Sequence, residues 1–393
     1  MNRVAVTGLG VVSSIGTGAT EFARGLRTGR SGARPIGGFD TTGFAHGIGC
    51  EVVDFEPADW LEQPERLPRA GQLAVAAATM AMRDAGLDPA DARTLVSIGT
   101  TDGGLDRGER IAEAVVRGVE VTAAEAARVP AALLSVGVAR ELGLSTVEVS
   151  TIATACAAGN YAIGDGFDAV ATGDVDVALC GGADALCRMT FTGFYRLGAV
   201  DPRACRPFDV DRQGILTGEG AAVLVLEPLD SAVRRGARVY AEVLGYGLNC
   251  DAGHPVAPDR DSVGRCMRLA LDDAGVAPDE VDLISAHGTG TKANDITECG
   301  AIHDVFGPTP PRTVSVKSML GHTMGAASAL SAAACALAIA EGFIPPTINH
   351  TETDPECGID CVPNVSVPAE LRVVQNNALA FGGNNSVVLF GRN

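Results

Sequence analysis

The chain has 393 residues, of which 46% are apolar, 20% charged and only 4% aromatic, with 49 glycines. That composition excludes a disordered chain and predicts a large core built from small side chains. A formal net charge of −18, from 30 basic and 48 acidic residues, excludes a general nucleic-acid or anionic-membrane binder, because both need clustered positive charge.

Met1 leads directly into a strand-like run, Val4 to Gly10, without the charged lead and apolar stretch of a secretion signal. A helical stretch then ends at Asp84-Ala85-Gly86, followed by Pro89, and the strand Leu95-Val96-Ser97 closes on Gly99-Thr100-Thr101. The strand Val147-Glu148-Val149 leads into Cys156-Ala157-Ala158-Gly159, and Leu179-Cys180-Gly181-Gly182 follows. From Tyr240 the pattern restarts. Gly245-Tyr246-Gly247 echoes Gly8-Leu9-Gly10, and Asp273-Ala274-Gly275 with Pro278 echoes the first helix end. Leu283-Ile284-Ser285 closes on His287-Gly288-Thr289, and Val314-Ser315-Val316 leads into His322-Thr323-Met324-Gly325. Ala380-Phe381-Gly382-Gly383 then answers Leu179 to Gly182. Strands alternating with helices predict a layered α/β fold. Echoes in one order predict two duplicated halves, 1–235 and 236–393. The apolar stretch Ala326 to Ala340 is shorter than the ~18 residues of a membrane span and reads as a buried helix.

The duplication puts Cys156 and His322 at equivalent junctions between a strand and a small-residue helix. A helix start offers free N–H groups and a positive dipole end, which favours a thiolate over a thiol whose ordinary pKa is near ~8.5. His287, in the glycine-punctuated turn His287-Gly288-Thr289-Gly290-Thr291, and Lys317, in Lys317-x-x-x-Gly321-His322, add an imidazole and an amine. With Asp295 and Glu298 these form a full set for acyl transfer. The other cysteines lack metal-type spacing; Cys180, Cys187, Cys266 and Cys335 read as small buried hydrophobes, and a reduced, cytoplasmic protein with no metal site is expected.

The motifs Thr154 to Asn160, His287 to Thr291, Lys317 to Gly325 and Phe381-Gly382-Gly383-Asn384-Asn385, in this order, resemble the beta-ketoacyl-acyl-carrier-protein synthases of the thiolase superfamily. The match is to the chain-elongating class with a Cys-His-His centre, and it runs from the first strand to the last. Arg206-Pro207-Phe208-Asp209 with Arg212 and Gly218-Glu219-Gly220, and Pro345-Pro346-Thr347-Ile348-Asn349, resemble further blocks of that family. The resemblance implies a thiolase-like five-layered αβαβα fold and a two-fold dimer, with an identical or a related subunit. It implies that Cys156 takes the acyl group and that His287 and His322 bind the malonyl thioester, promote loss of its carboxyl group and stabilise the enolate. Lys317 and Glu298 would order that pair. The backbone N–H groups of Cys156 and Phe381 would form an oxyanion hole, and Phe381 would gate the site. Thr289 and Thr291 would touch the pantetheine arm. Substrates would arrive on the phosphopantetheine of an acyl carrier protein, with no other cofactor.

Asp102 falls in the stretch that resembles the acyl-tunnel lining, where the family commonly has an apolar residue. It either turns to solvent or caps a turn, or makes the tunnel polar or short. Arg66, Arg69, Arg203 and Arg206 are expected near the entrance, where an acidic carrier would dock. Leu379 and Ala380 depart from the aromatic and glycine that often precede the gate. Competing functions are a chain-length-factor-like partner subunit, which would lack the nucleophilic Cys, and an initiating synthase, which would have Asn where His322 stands. A cysteine hydrolase would leave the duplication without a purpose, and a malonyl decarboxylase requires a closed acyl tunnel.

Overall fold

The computed structural model describes residues 1–88 and 92–393; Pro89 of the first helix-end echo lies outside the described residues. Among the described residues ten strands form one long sheet with the short strand Gly16–Thr17 at its side. They are β1 (Val4–Ser13), β2 (Thr94–Gly99), β3 (Val147–Ile152), β4 (Val177–Asp184) and β5 (Gly220–Pro228). In the second half they are β6 (Ala241–Cys250), β7 (Leu283–Ser285), β8 (Arg312–Val314), β9 (Val373–Leu379) and β10 (Asn384–Gly391).

The order is β8-β7-β9-β10-β6-β1-β5-β4-β2-β3. Read inward from either edge, each half runs third, second, fourth, fifth, first. The directions repeat too. β2 is parallel to β3 and β4, as β7 is to β8 and β9, and the remaining pairs are antiparallel. The two first strands pair with each other through Val4–Val6 and Ala241–Val243. Even a bulge recurs: β1 shifts against β5 between Val6 and Gly8, and β10 shifts against β6 between Leu389 and Phe390.

Which strands each helix touches sets the layers. α1 (Arg69–Ala85) packs on β1, β5 and β4, α2 (Leu105–Val116) runs beside it in sequence, and α3 (Leu133–Glu141) packs on α1. α4 (Ala158–Thr172) meets β4 and β2 of one half and β10 and β6 of the other. After α5 (Arg188–Arg196), α6 (Arg260–Ala274) covers β6 and β10 with α7 (Lys292–Phe306) on it. α8 (Ala326–Glu341) meets β5, β4 and β9. Hence α4 and α8 lie between the two half-sheets, and the layers read αβαβα.

The glycine echoes have one steric reason. A Cβ on Gly8 or Gly10 would lie 2.2 Å from the carbonyl oxygen of Ala81 or 1.8 Å from that of Ala77, both on α1. On Gly245 or Gly247 it would lie 2.6 Å from the amide nitrogen of Ala274 or Ala270, both on α6. Small side chains bring the outer helix down onto the first strand in both halves. The middle layer is as tight: a Cβ on Gly159 of α4 would lie 2.7 Å from the Ala329 nitrogen of α8, and α8 is buried from Ala326 to Ile339. The echo of Leu179–Gly182 in Ala380–Gly383 does not hold, since Gly181 and Gly182 are inside β4 whereas Gly382 and Gly383 form the turn between β9 and β10. No helix of the described residues is long and apolar enough to cross a membrane.

Candidate active site

Between β3 and α4 the chain makes one 3-10 turn, Ala155–Ala157. Ala155 has φ 51°, a left-handed conformation that costs a non-glycine residue about 1–3 kcal/mol. That bend sets Cys156, 5% exposed, at the start of the buried helix. Met324 has φ 50° just before α8. Matching these two residues pairs Cys156 with Gly325 rather than with His322. Within the equivalent junctions expected from the sequence, His322 thus sits three residues upstream of the position matching Cys156, in the loop. The two helix starts touch, the Gly159 N–H donating to the Gly325 carbonyl at 3.2 Å.

His287 follows β7 and His322 follows the one-turn helix Lys317–Leu320; they are 4% and 2% exposed. Their ring centroids are 5.5 Å apart and nearly perpendicular, at 81°. The Met324 N–H donates to Nδ1 of His322 at 3.1 Å, while the His322 backbone bridges Leu216 and Gly218. Lys317 Nζ donates to the His287 carbonyl at 2.6 Å and lies 3.5 Å from its Nδ1. Glu298 accepts the N–H groups of His287 and Gly288 at 2.7 and 2.8 Å, and the side-chain amide of Asn377 at 3.1 Å. It therefore holds His287 by its backbone.

Burial sets the charge states. It holds both imidazoles well below the ordinary 6.5, with the Lys317 charge adding to the effect. It pushes the Cys156 thiol up to about 12, against the pull of Lys317. Burial also lowers Lys317, opposed by Glu298, and raises Glu298, opposed by the two backbone N–H groups it accepts. The resting site is thus a thiol facing two neutral imidazoles, and the thiolate expected at this helix start is corrected, because burial outweighs the pull of positive charge.

Cys156, His287, His322 and Phe381 line one cavity of about 240 Å³, with Thr289, Thr291, Phe194, Leu379 and Ala380. Lys317 and Glu298 stand behind its wall. The Thr289 and Thr291 hydroxyls lie 2.9 Å apart. Phe381 is 37% exposed, in a turn where Gly382 and Gly383 both have φ 82°.

Asp184 carries no motif and was missed in the sequence, and the pairing of Arg212 with Asp295 was not foreseen although both residues were noted there. Asp184, at the end of β4, accepts from the Thr100 hydroxyl and from the N–H groups of Thr101, Asp102 and Gly325 at 2.6–2.9 Å. Burial, with Asp102 nearby, raises its pKa to about 7. It ties the loop after β2 to the start of α8. Arg212, 2% exposed, lies 3.3 Å from Asp295 and 2.7 Å from Asp354. Asp295 in turn accepts the Phe208 and Gly290 N–H groups. The signals for both lay in strand-end and loop acids, which only long-range pairing makes meaningful.

Asp102 is not among the cavity-lining residues. It is half-buried, its carboxylate accepting from the Thr190 hydroxyl of α5 at 2.6 Å, and burial raises its pKa. Of the expected docking arginines, Arg69 is corrected. Its guanidinium is committed to both Glu219 oxygens at 2.8 and 2.7 Å and to the Val52 carbonyl. Arg66 is exposed on a separate polar groove with Trp60 and Arg140. Arg203 is exposed and Arg206 half-buried on the segment whose Cys205 donates to the Thr289 carbonyl, beside the cavity.

Models of the beta-ketoacyl synthase N-terminal and C-terminal domains match residues 1–232 and 240–351. The 3-oxoacyl-acyl-carrier-protein synthase 2 of Synechocystis sp. is 39% identical over 99% of this chain and 97% of its own length. Among solved structures, a chain of the ishigamide ketosynthase/chain length factor is 58% identical, with a TM-score of 0.98 over 100% of this chain and 99% of that one. A chain of the AntDE:AntF complex, a type II PKS acyl-carrier protein with its ketosynthase bound to the hexaketide, is 32% identical at a TM-score of 0.90, over 100% and 99%.

Proposed function

The chain belongs to the beta-ketoacyl synthase family and is a condensing acyltransferase of fatty-acid or polyketide biosynthesis, and we propose that Cys156, His287 and His322 carry its chemistry. In the first half-reaction the Cys156 sulfur attacks a carrier-bound thioester. The acyl C–S bond to the carrier breaks, and the thiol proton ends on the carrier's sulfur. The N–H groups of Cys156 and Phe381 receive the developing oxyanion. In the second, the malonyl C–COO⁻ bond breaks, CO₂ leaves, and the electron pair becomes a thioester enolate. Its α-carbon attacks the acyl-cysteine, and Cys156 departs as thiolate to be reprotonated. Thr289 and Thr291 face the pantetheine arm on which both substrates arrive, and the chemistry asks for no further cofactor.

The observation that carries this reading is the state of the two imidazoles. Nδ1 of His322 already accepts a backbone N–H, and Nδ1 of His287 lies beside an amine that, charged, has only donors. Each ring therefore keeps its proton on Nε2, and two neutral N–H donors are available for one enolate oxygen. Such a pair suits decarboxylation, and it leaves no free imidazole nitrogen to activate a hydrolytic water.

For the partner we propose a related chain-length-factor-like subunit rather than a second copy. The 58% identity to a ketosynthase/chain length factor supports this. The place for either partner is β3, an edge strand whose Val149 is 42% exposed, for an edge strand needs a cover. A carrier protein would dock by Arg203 and Arg206 beside the cavity, with Arg66 further out. Eleven unpaired cysteines support a reducing, cytoplasmic setting, and the two halves divide at residues 235 and 236, before β6. Intact-protein mass spectrometry with a panel of acyl-carrier proteins tests the assignment. Acyl mass is expected on wild type and none on Cys156→Ala; acyl mass on that variant overturns it.

A further inference from the structure

α5 carries three rings at i, i+3 and i+4, Phe191, Phe194 and Tyr195, which share one side of the helix and pack in one cluster. Phe191 is fully buried and meets Phe39 and Phe44 at ring-centroid distances of 5.6 and 5.0 Å. Tyr195 meets Phe44 at 5.0 Å and His46 at 5.2 Å, and its hydroxyl oxygen accepts the Ala45 N–H at 3.0 Å. One face of the helix is thus braced by a surface segment of the chain. Phe194, at the edge of that same side, lines the catalytic cavity. Its ring lies 5.5 Å from that of Phe381, tilted by 32°, and 6.4 Å from that of His322.

The start of the same helix is fastened as firmly. The N–H groups of Arg188 and Met189 donate to the Glu109 carboxylate, and the Thr190 hydroxyl to Asp102. Carboxylates at a helix start are favourably placed against its dipole. A helix held at its start and by the rings that flank Phe194 presents Phe194 as a fixed surface. Phe381 is the opposite: more than a third exposed and followed by two left-handed glycines.

We propose that Phe194 is the seat of the gate: the fixed ring on which Phe381 rests, keeping His322 covered until Cys156 is acylated. This rests on the assignment of Phe381 as gate and of His322 to malonyl binding. Phe194 is a positioning residue, since it acts by holding Phe381 in place. Its consequence is chemical order. If malonyl reaches the imidazoles before Cys156 carries an acyl group, the C–COO⁻ bond still breaks. The enolate then takes a proton from water, leaving an acetyl thioester, CO₂ and hydroxide, and the extender is wasted.

An offset aromatic pair shifts an open–closed equilibrium roughly two- to tenfold. The experiment measures, on the native dimer with malonyl- and acyl-carrier proteins, the ratio of acetyl-carrier to condensed product for wild type, Phe194→Ala, Phe194→Leu and Phe381→Ala. The expected result is a ratio raised roughly two- to tenfold in Phe194→Ala, a smaller rise in Phe194→Leu, which keeps apolar volume, and no further rise when Phe194→Ala is added to Phe381→Ala. An unchanged ratio in both Phe194 variants, with condensation and decarboxylation falling together, overturns the proposal, because a merely structural role lowers both. Wild type that forms no condensed product with any carrier would instead refute the proposed function, and that readout is separate.

Discussion

At the scale of single residues, burial decides the chemistry. A thiol raised to about 12 gains thiolate tenfold for each pH unit far below that value, whereas an ordinary cysteine near ~8.5 levels off. Alkylation of Cys156 by iodoacetamide, followed by peptide mass spectrometry, is therefore expected to rise about tenfold per unit up to roughly pH 9 without a plateau. The imidazoles predict the reverse shape. Because burial and Lys317 hold them well below 6.5, they remain neutral on the acid side of the ordinary titration. Malonyl decarboxylation should stay level from about pH 8 to pH 6, where an unperturbed imidazole would half-protonate; a decline centred near 6.5 would contradict this. Asp102 belongs to the same scale. Held by Thr190 and raised by burial, it puts a polar group in the loop after β2. Asp102→Leu is expected to favour long saturated acyl donors by roughly tenfold in the rate of Cys156 acylation. An unchanged donor profile removes Asp102 from the acyl path.

At the scale of elements, close approach is what the glycines serve. A methyl on Gly10 would sit inside the Ala77 carbonyl of α1, so Gly10→Ala must lift the helix from β1 and is expected to cost about 1–3 kcal/mol in urea unfolding. Gly86→Ala at the α1 C-cap meets nothing within 4 Å but keeps φ 63°, and should cost only about 1 kcal/mol. A smaller loss for Gly10→Ala than for Gly86→Ala would mean that α1 is free to shift. The strand echoes Gly8-Leu9-Gly10 and Gly245-Tyr246-Gly247 were legible because both faces of the requirement, small and paired, are written locally. The echo of Leu179–Gly182 in Ala380–Gly383 misled because diglycine serves a strand interior and a turn equally well.

At the scale of the molecule, the unpartnered edge matters most. β3 closes one end of the sheet order, and α2, amphipathic in sequence, has none of its residues buried, with Val115 and Val116 62% and 87% exposed. Placing a charge on that edge blocks strand addition. Val149→Lys is expected to convert the co-expressed complex to separate subunits in size-exclusion chromatography with light scattering. A complex of unchanged mass would place the interface elsewhere, and a wild-type complex of two identical chains would replace the heterodimer by a homodimer.

The sequence by itself determined the layered α/β class and the family, and it singled out an internal repeat and Cys156, His287, His322, Lys317 and Glu298 as candidates, because duplication and motif are carried by neighbours along the chain. It could not say that Cys156 answers to Gly325 and not to His322, since the left-handed turns at Ala155 and Met324 have no signature in residue type. Nor could it show that Arg69 is held by Glu219, that Asp184 binds two loops at once, or that Phe194 faces Phe381. Those facts join residues far apart in the chain. Packing α1 on β5 makes the first of them, and packing the two half-sheets around α4 and α8 makes the other two, bringing the residues within a few ångströms, where hydrogen bonds, charge and ring contact act.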